Sequence, residues 1–170
     1  KHRGFSYQYD SDLDMRFNPK EKYTAKDFLH STNEKELSSI IKKYSDEMNS
    51  YRIARSIIND ISNNRMNTTF DLKKSVSNVV KGKFTVKSLS RVFQAIRIHI
   101  NDELNSLTKA LDNCVKYLSK GGRIVIITFH SIEDRIVKKF FKHEAIDCIC
   151  PKNIPICVCD KTATLAIITK

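Results

Sequence analysis

The stretch GGRIVIITFHSIEDRIVKKFF, residues Gly121–Phe141, changes its hydrophobic period within a short distance and decides the fold class. Its two glycines end a helix, and the apolar, β-branched run Ile124–Phe129 predicts a buried strand. Ser131 then opens an amphipathic helix. His130 and Ser131 therefore stand between a strand and a helix. Because ligands bind at the carboxyl ends of strands in open α/β sheets, this polar pair is a candidate for chemistry.

A purely structural interpretation of the same pair stays open. Ser131 can be the N-cap of the helix, with Asp134 as a capping-box-like partner three residues on. His130 would then be a solvated turn residue. Sequence position alone does not separate the two interpretations.

Composition and charge bound the class of protein. The chain has 170 residues, of which 41% are hydrophobic and 29% charged, which is typical of a soluble globular domain. No apolar run approaches the ~20 residues that span a bilayer. No strongly basic helix carries a bulky apolar face with Trp, and the chain has no Trp, so a membrane surface is not expected as a partner either. The absence of a signal-peptide pattern favours the cytoplasm. A net charge of +11 and a pI near 9.5 predict an anionic partner, with nucleic acid as the first candidate.

The part of the chain before the deciding stretch is predicted to be helical. Four short amphipathic patterns between Thr24 and Val80 predict a small helical lobe. Its exposed positions carry many basic side chains that could face phosphates, although an ordinary solvated face explains any single one. The basic residues are Lys42, Lys43, Arg52, Arg55, Lys73, Lys74, Lys81 and Lys83.

A longer helical pattern follows the lobe, from Val86 to Leu118, and predicts two helices or one helix that bends near Asn101. Arg91, Arg97 and Asn101 fall at helical spacing with Gln94, so they share one polar face. Two arginines and two amides on one face could orient a nucleotide. A hydrogen-bonded surface stripe is the structural alternative.

The amino-terminal segment RGFSYQYDSDLDMRFNP, Arg3–Pro19, has no helical or strand period and predicts a binding loop. Asp14 and Arg16 are able to make directed polar contacts with a substrate. Solvated surface ion pairs would explain the same residues.

Two C-x-C pairs lie near the carboxyl end, in the segment IDCICPKNIPICVCD. A hairpin with prolines at its turn would bring Cys148, Cys150, Cys157 and Cys159 together, and four thiolates suit tetrahedral zinc. The spacing differs from the commoner C-x-x-C. Free thiols packed as small apolar groups, and disulfides, therefore stay open as alternatives.

Four segments together resemble the bacterial RsmH/MraW family. Their order and spacing agree with the family, and the resemblance covers the whole chain, most loosely in the helical lobe and the cysteine segment. The segments are RGFSY (Arg3–Tyr7), LDMR (Leu13–Arg16), RVFQAIRIHINDEL (Arg91–Leu104) and GGRIVIITFHSIEDRIVKKF (Gly121–Phe140).

The resemblance implies an enzyme that uses S-adenosylmethionine to methylate the N(4) amine of a cytidine in 16S ribosomal RNA, cytidine 1402 in that family. The implied fold class is α/β, the C-terminal part of a Rossmann-like methyltransferase sheet with an inserted all-helical lobe. Residues 1–18 would be an active-site loop, residues 19–86 an RNA-recognition lobe, and residues 87–170 the C-terminal half of the methyltransferase domain.

The resemblance also implies roles for the candidate residues. The catalytic candidates are Asn101, His130 and Ser131, and the candidate substrate-binding residues are Asp14, Arg16, Arg91 and Arg97. The implied partner is 16S ribosomal RNA within the small ribosomal subunit.

A cofactor site of this fold needs a glycine-rich turn after a first strand. The four glycines, at positions 4, 82, 121 and 122, form no such turn. We therefore expect a fragment that lacks the cofactor-binding half, is inactive alone and exposes sheet edges through which it could form a homodimer. An RNA-binding or zinc-stabilised interaction module without catalysis is the alternative.

Overall fold

The computed structural model describes residues 3–151 and 156–168, which form seven α-helices and a short 3₁₀ turn at Gly82–Phe84. The chain divides after Glu103 into two compact units. The helices are α1 (Ala25–Ser31), α2 (Glu34–Ser45), α3 (Ser50–Ser62), α4 (Thr69–Val79), α5 (Thr85–Asn101), α6 (Glu103–Tyr117) and α7 (Ser131–Glu144).

Side-chain caps start three of the helices in the first unit. The Thr24 hydroxyl accepts from the backbone N–H of Asp27, whose carboxylate accepts from the Thr24 N–H in return. Asn33 caps α2 by accepting from a backbone N–H one turn into the helix. Thr68 caps α4 in the same reciprocal way as Thr24. At each start a short polar side chain satisfies a backbone donor that has no helical partner.

The core of the first unit is helical, as the apolar periodicity predicts. Helix α2 packs against α3 and α5, and α4 packs against α3 and α5. Each fully buried aliphatic side chain contributes about 1.5–3 kcal/mol relative to an exposed one. The fully buried residues include Leu29, Leu37, Ile41, Ile53, Ile57, Leu72 and Ile96.

The long helical pattern is interrupted at Asp102, which has the left-handed backbone angle φ 48° and separates α5 from α6. Of the two predicted alternatives, the structure therefore shows two helices that meet next to Asn101. Helix α5 belongs to the first compact unit together with α1–α4. The boundary predicted between residues 86 and 87 remains a proposal about the complete protein.

The strand predicted at Ile124–Phe129 is not paired in the structure. The described residues contain no β-strand, and they contain one isolated antiparallel bridge, between Asp12 and Thr68. The exposure of residues 124–129 nevertheless alternates with the period of a strand. Val125 is 86% exposed and Ile127 77% exposed, while their neighbours Ile124, Ile126 and Thr128 are half-buried. A strand needs a neighbour for its backbone hydrogen bonds, so the sheet part of the fold prediction is not confirmed.

The carboxyl-terminal segment also lacks, among its described residues, the predicted hairpin ladder and the final strand that the sequence pattern predicts at Thr162–Ile168. It folds back on the end of α7 instead. The backbone N–H of Thr164 donates to the carbonyl of Glu144 over 2.9 Å, and the Thr164 hydroxyl donates to the Glu144 carboxylate over 2.5 Å. These bonds hold Thr164 to the end of α7.

Candidate functional site

The amino-terminal loop contains an ion pair between Asp14 and Arg16. The guanidinium donates twice to the carboxylate, over 2.6 Å to Oδ1 and 2.9 Å to Oδ2. This paired hydrogen bond with Arg16 lowers the pKa of Asp14 below its ordinary value. The same guanidinium donates to the carbonyls of Pro19 and Glu21. The loop therefore presents an ionised carboxylate whose position is fixed by the loop's own backbone.

Gly4 allows the two arms of the loop to approach each other. Its φ of +77° is strained for other residues, and an added Cβ would lie 2.5 Å from the carbonyl oxygen of Asp12. Gly82 has a similar φ of +72° but nothing within 4 Å of an added Cβ. The two positions therefore share backbone strain and differ in steric room.

We expect Gly4→Ala to destabilise the protein by about 2 kcal/mol, since it adds overpacking to backbone strain. Gly82→Ala is the matched control and should cost about 1 kcal/mol from strain alone. Urea unfolding followed by circular dichroism would measure both. Equal costs would show that the close approach at Asp12 does not matter.

Asn101, the last residue of α5, ties the loop to the helix. Its Nδ2 donates to the carbonyl of Met15 over 2.7 Å and to the carbonyl of Arg97 over 2.8 Å. Its Oδ1 accepts from the backbone N–H of Phe17 over 2.6 Å. Both polar atoms of the amide are thus engaged by backbone groups, so the geometry suits a residue that positions the loop.

Arg91 lies beside Glu47, a buried carboxylate that the sequence patterns did not single out. Arg91 Nη1 is 3.3 Å from Glu47 Oε2, and the Ser88 hydroxyl donates to the same oxygen over 3.0 Å. Burial by itself would raise the pKa of Glu47. Hydrogen bonds from the backbone of Asn49, from Ser88 and from Arg91 outweigh burial, and the pKa is lowered. An acid inside a polar loop between two helices gives no periodic signal, which is why sequence analysis missed it.

Arg97 forms a bidentate pair with Glu103, over 2.8 Å and 3.1 Å. Arg97 is one turn before Asn101 on α5, as the helical spacing predicts. Within the first unit the structure therefore connects Asp14, Arg16, Arg97 and Asn101 through one network of side-chain and backbone hydrogen bonds. Arg91 lies two turns earlier on the same helix.

In the second unit His130, and not Ser131, is the N-cap of α7. The His130 Nδ1 accepts from the backbone N–H of Glu133 over 3.3 Å, and the Glu133 carboxylate accepts from the N–H of Phe129 over 2.9 Å. The alternative with Ser131 as the cap and Asp134 as its partner is wrong by one residue, because the imidazole already satisfies the helix donors. The His130 Nε2 is buried without a hydrogen-bond partner, 3.3 Å from Glu133 Oε1.

The four cysteines of the two C-x-C pairs converge in the second unit. All four sulfur atoms lie within 4.8 Å of one another, and this cluster could hold a metal ion. The backbone N–H of Ile149 donates to the Cys159 sulfur and lowers the pKa of that thiol to about 6. The N–H of Cys150 acts in the same direction on Cys148, but hydrogen bonds with the neighbouring thiols outweigh it and raise the Cys148 pKa to about 12.

The helical lobe carries basic side chains next to exposed aromatic rings. Lys73 lies 4.9 Å from the centroid of the Phe70 ring, and Lys83 lies 5.3 Å from that of the Phe84 ring. Both rings are exposed. Flat rings and cations together suit single-stranded nucleic acid, since bases stack on the rings while phosphates meet the charges.

The glycines of the structure do not fit a phosphate- or nucleoside-binding turn. Gly4 packs against the loop backbone, Gly82 opens the 3₁₀ turn, and Gly121 follows the end of α6. Among the described residues none of them connects a strand to a helix. The residues present can therefore orient a substrate, but they do not form a nucleoside-cofactor cradle.

Comparison with known proteins shows which family the chain is similar to. The model of the MraW methylase family matches residues 1–170. Curated relatives named "Ribosomal RNA small subunit methyltransferase H" are 46% identical in Caldicellulosiruptor saccharolyticus, 45% in Carboxydothermus hydrogenoformans and 43% in Clostridioides difficile. Each match covers 99% of this chain and 55% of the relative. The chain thus spans about half the length of the relatives.

Proposed function

Because the chain belongs to the MraW methylase family, we propose that it supplies the substrate-side part of an S-adenosylmethionine-dependent methyltransferase. The proposed substrate is the N(4) amine of a cytidine in 16S ribosomal RNA, cytidine 1402 in the family. The observation that carries the proposal is the family match over the whole chain. The named relatives support ribosomal RNA of the small subunit as the class of substrate.

The proposed reaction makes clear demands on the protein. The lone pair of the cytosine amine is delocalised into the ring, so the amine must be held in a near-attack pose. Its hydrogens need acceptors as positive charge develops on the nitrogen. The base must also leave its stack, which costs a few kcal/mol in splayed or single-stranded RNA. Positioned polar groups can meet these demands without a strong base.

The amino-terminal loop supports a substrate-binding role. Asp14 is held ionised beside Arg16 and can accept hydrogens from the amine. Asn101 would act by fixing the backbone on both sides of Arg16, at Met15 and Phe17. Catalytic roles for His130 and Ser131 at the start of α7 remain proposals.

We propose that Arg91 and Arg97 contact RNA phosphates or bases with the donors that their carboxylate partners leave free. Each arginine is about one third exposed. The exposed basic and aromatic side chains of α4 and the 3₁₀ turn would extend this contact.

Among the described residues, no helix is both long and apolar enough to cross a membrane. The cytoplasm and a homodimer are proposed as location and assembly, and light scattering would test the latter.

The cofactor prediction separates this chain from the complete enzyme. We expect residues 1–170 alone to show no S-adenosylmethionine binding by isothermal titration calorimetry, since they lack the glycine-rich turn. A chimera that joins them to the part of the C. saccharolyticus relative outside the match should bind the cofactor. The chimera should also methylate unmodified small subunits, with N(4)-methylcytidine detected by mass spectrometry of the digested RNA.

Three results would change the proposal. Micromolar cofactor binding by residues 1–170 would show that the cofactor site lies within this chain. Methylation at another atom or in another RNA would reject the N(4)-cytidine substrate. A chimera that binds RNA and cofactor but transfers no methyl group would favour the alternative, an RNA-binding or interaction module without catalysis.

A further inference from the structure

The four-cysteine cluster of the second unit has the dimensions of a metal centre. In a tetrahedral site with Zn–S bonds of about 2.3 Å, the sulfur atoms lie about 3.8 Å apart. Cys157 Sγ is 3.5 Å from the sulfurs of Cys148 and Cys159 and 4.0 Å from that of Cys150. The Cys148 and Cys159 sulfurs are 3.8 Å apart. These separations already match a tetrahedron around one ion.

Backbone donors surround the sulfur atoms in a nearly symmetric way. The middle residue of the first C-x-C pair, Ile149, donates its N–H to Cys159 in the second pair over 3.4 Å. The middle residue of the second pair, Val158, donates to Cys150 in the first pair over 3.4 Å. Backbone N–H groups aimed at sulfur stabilise thiolate charge, which is the outer arrangement that metal-bound thiolates need.

The exposure of this segment argues against the interpretation of the cysteines as apolar packing groups. Cys148 and Cys157 are exposed and the other two are half-buried, whereas packed free cysteines are among the most buried residues of proteins. Ile149, Ile156 and Val158 are also exposed. The described residues of the segment therefore form no apolar core of their own, so the convergence of the four sulfur atoms needs another source of stability.

The structure also argues against disulfides in this cluster. All four cysteines are free thiols. Each thiol has several sulfur neighbours at similar distances, whereas a disulfide pairs two sulfurs and leaves the others apart. A single cation bound by all four satisfies the arrangement as it stands.

We propose that Cys148, Cys150, Cys157 and Cys159 bind one zinc ion in a closed, structural site that fixes the carboxyl-terminal segment. With all four positions filled by protein thiolates, the ion has no open position for a substrate. The four cysteines lie in the loop between Glu144 and Thr164, the two residues that are hydrogen-bonded to each other. Asp147, which accepts from the N–H of Ala163 over 2.9 Å, joins the same fold-back. Binding releases the thiol protons, so the affinity falls at acidic pH.

Metal analysis of the protein purified under reducing conditions without chelator tests the proposal. We expect about one zinc ion per chain. Cobalt should replace it and give the visible bands of tetrahedral cobalt with a thiolate charge-transfer band. Cys150→Ser should lower zinc affinity more than about a hundredfold, because it removes a direct ligand. Cys114→Ser is the matched control, since Cys114 is exposed on α6 outside the cluster, and it should bind zinc normally.

Alkylation and hydrogen exchange give readouts that do not depend on global folding. Zinc should protect four cysteines from iodoacetamide and leave Cys114 reactive, and a chelator should expose all five. The chelator should also speed amide exchange at Ala163 and Thr164 while α2–α5 stay protected. Equal labelling of all five cysteines with and without zinc, together with no cobalt bands, would overturn the proposal. Disulfides that persist under reducing conditions would overturn it too.

Discussion

Replacing Asn101 with Ala should lower methyl transfer by the chimeric enzyme ten- to about a hundredfold, because misplacing a substrate-positioning loop by about 1 Å has effects of this size. The amide makes three hydrogen bonds to backbone groups, at Met15, Phe17 and Arg97. Without it, the carbonyl and N–H groups around Arg16 lose their partners. The rate of N(4)-methylcytidine formation at saturating RNA is the measurement.

Two further variants separate positioning from general destabilisation. Asn113→Ala changes an exposed asparagine on α6 and should leave the rate unchanged. Asn101→Asp keeps an acceptor for the N–H of Phe17 but loses both donated hydrogen bonds, and we expect it to be as slow as the alanine variant. A wild-type rate for Asn101→Ala would show that Asn101 does not position the loop for catalysis and belongs to a hydrogen-bonded surface stripe of α5.

Removing the buried carboxylate of Glu47 should destabilise the first unit by about 3 kcal/mol. Glu47 is 1% exposed and accepts hydrogen bonds from Ser88, Arg91 and Asn49. Breaking a fully buried ion pair costs about 3–5 kcal/mol, and the value is lower here because Arg91 is one third exposed. Urea unfolding of Glu47→Ala at neutral pH measures the loss. Glu36→Ala, an exposed acid on α2, is the control and should change stability by less than about 0.5 kcal/mol.

The Glu47 contribution should also depend on pH in one direction. Its pKa in the folded protein is lowered from the ordinary value of 4.5. The stabilisation is therefore complete above pH 4.5 and is lost as the pH falls through the folded-state pKa, since the unfolded chain takes up the proton first. Glu47→Gln has no such group and should lose less stability between pH 5 and pH 3 than the wild type. Identical pH profiles would contradict the assignment.

Much of the architecture follows from local sequence. The start of α1 could be predicted at Thr24, and those of α2 and α4 to within one residue, because capping depends on residues only three positions apart. The candidates were Thr32 or Asn33 for α2 and Thr68 or Thr69 for α4, and the structure has Asn33 and Thr68 as the caps. The apolar period likewise placed Leu37 and Ile41 inside. The cysteine segment was predicted as a possible four-ligand cluster, and its sulfurs do converge.

The sequence by itself thus determined the helices, their buried faces and the family. The helices and their buried faces depend on short-range periodicity, and the family is recognised from short sequence motifs. Tertiary structure alone decided which side chains meet. It placed the Asn101 amide on the loop at Met15, eighty-six positions away, and the carboxylate of Glu47 beside Arg91. It also left residues 124–129 without a paired strand among the described residues, although their pattern is that of a strand. Partners that are distant in the chain leave no local periodic signal. A strand-like pattern, in turn, does not by itself supply the neighbouring strand that its backbone hydrogen bonds need.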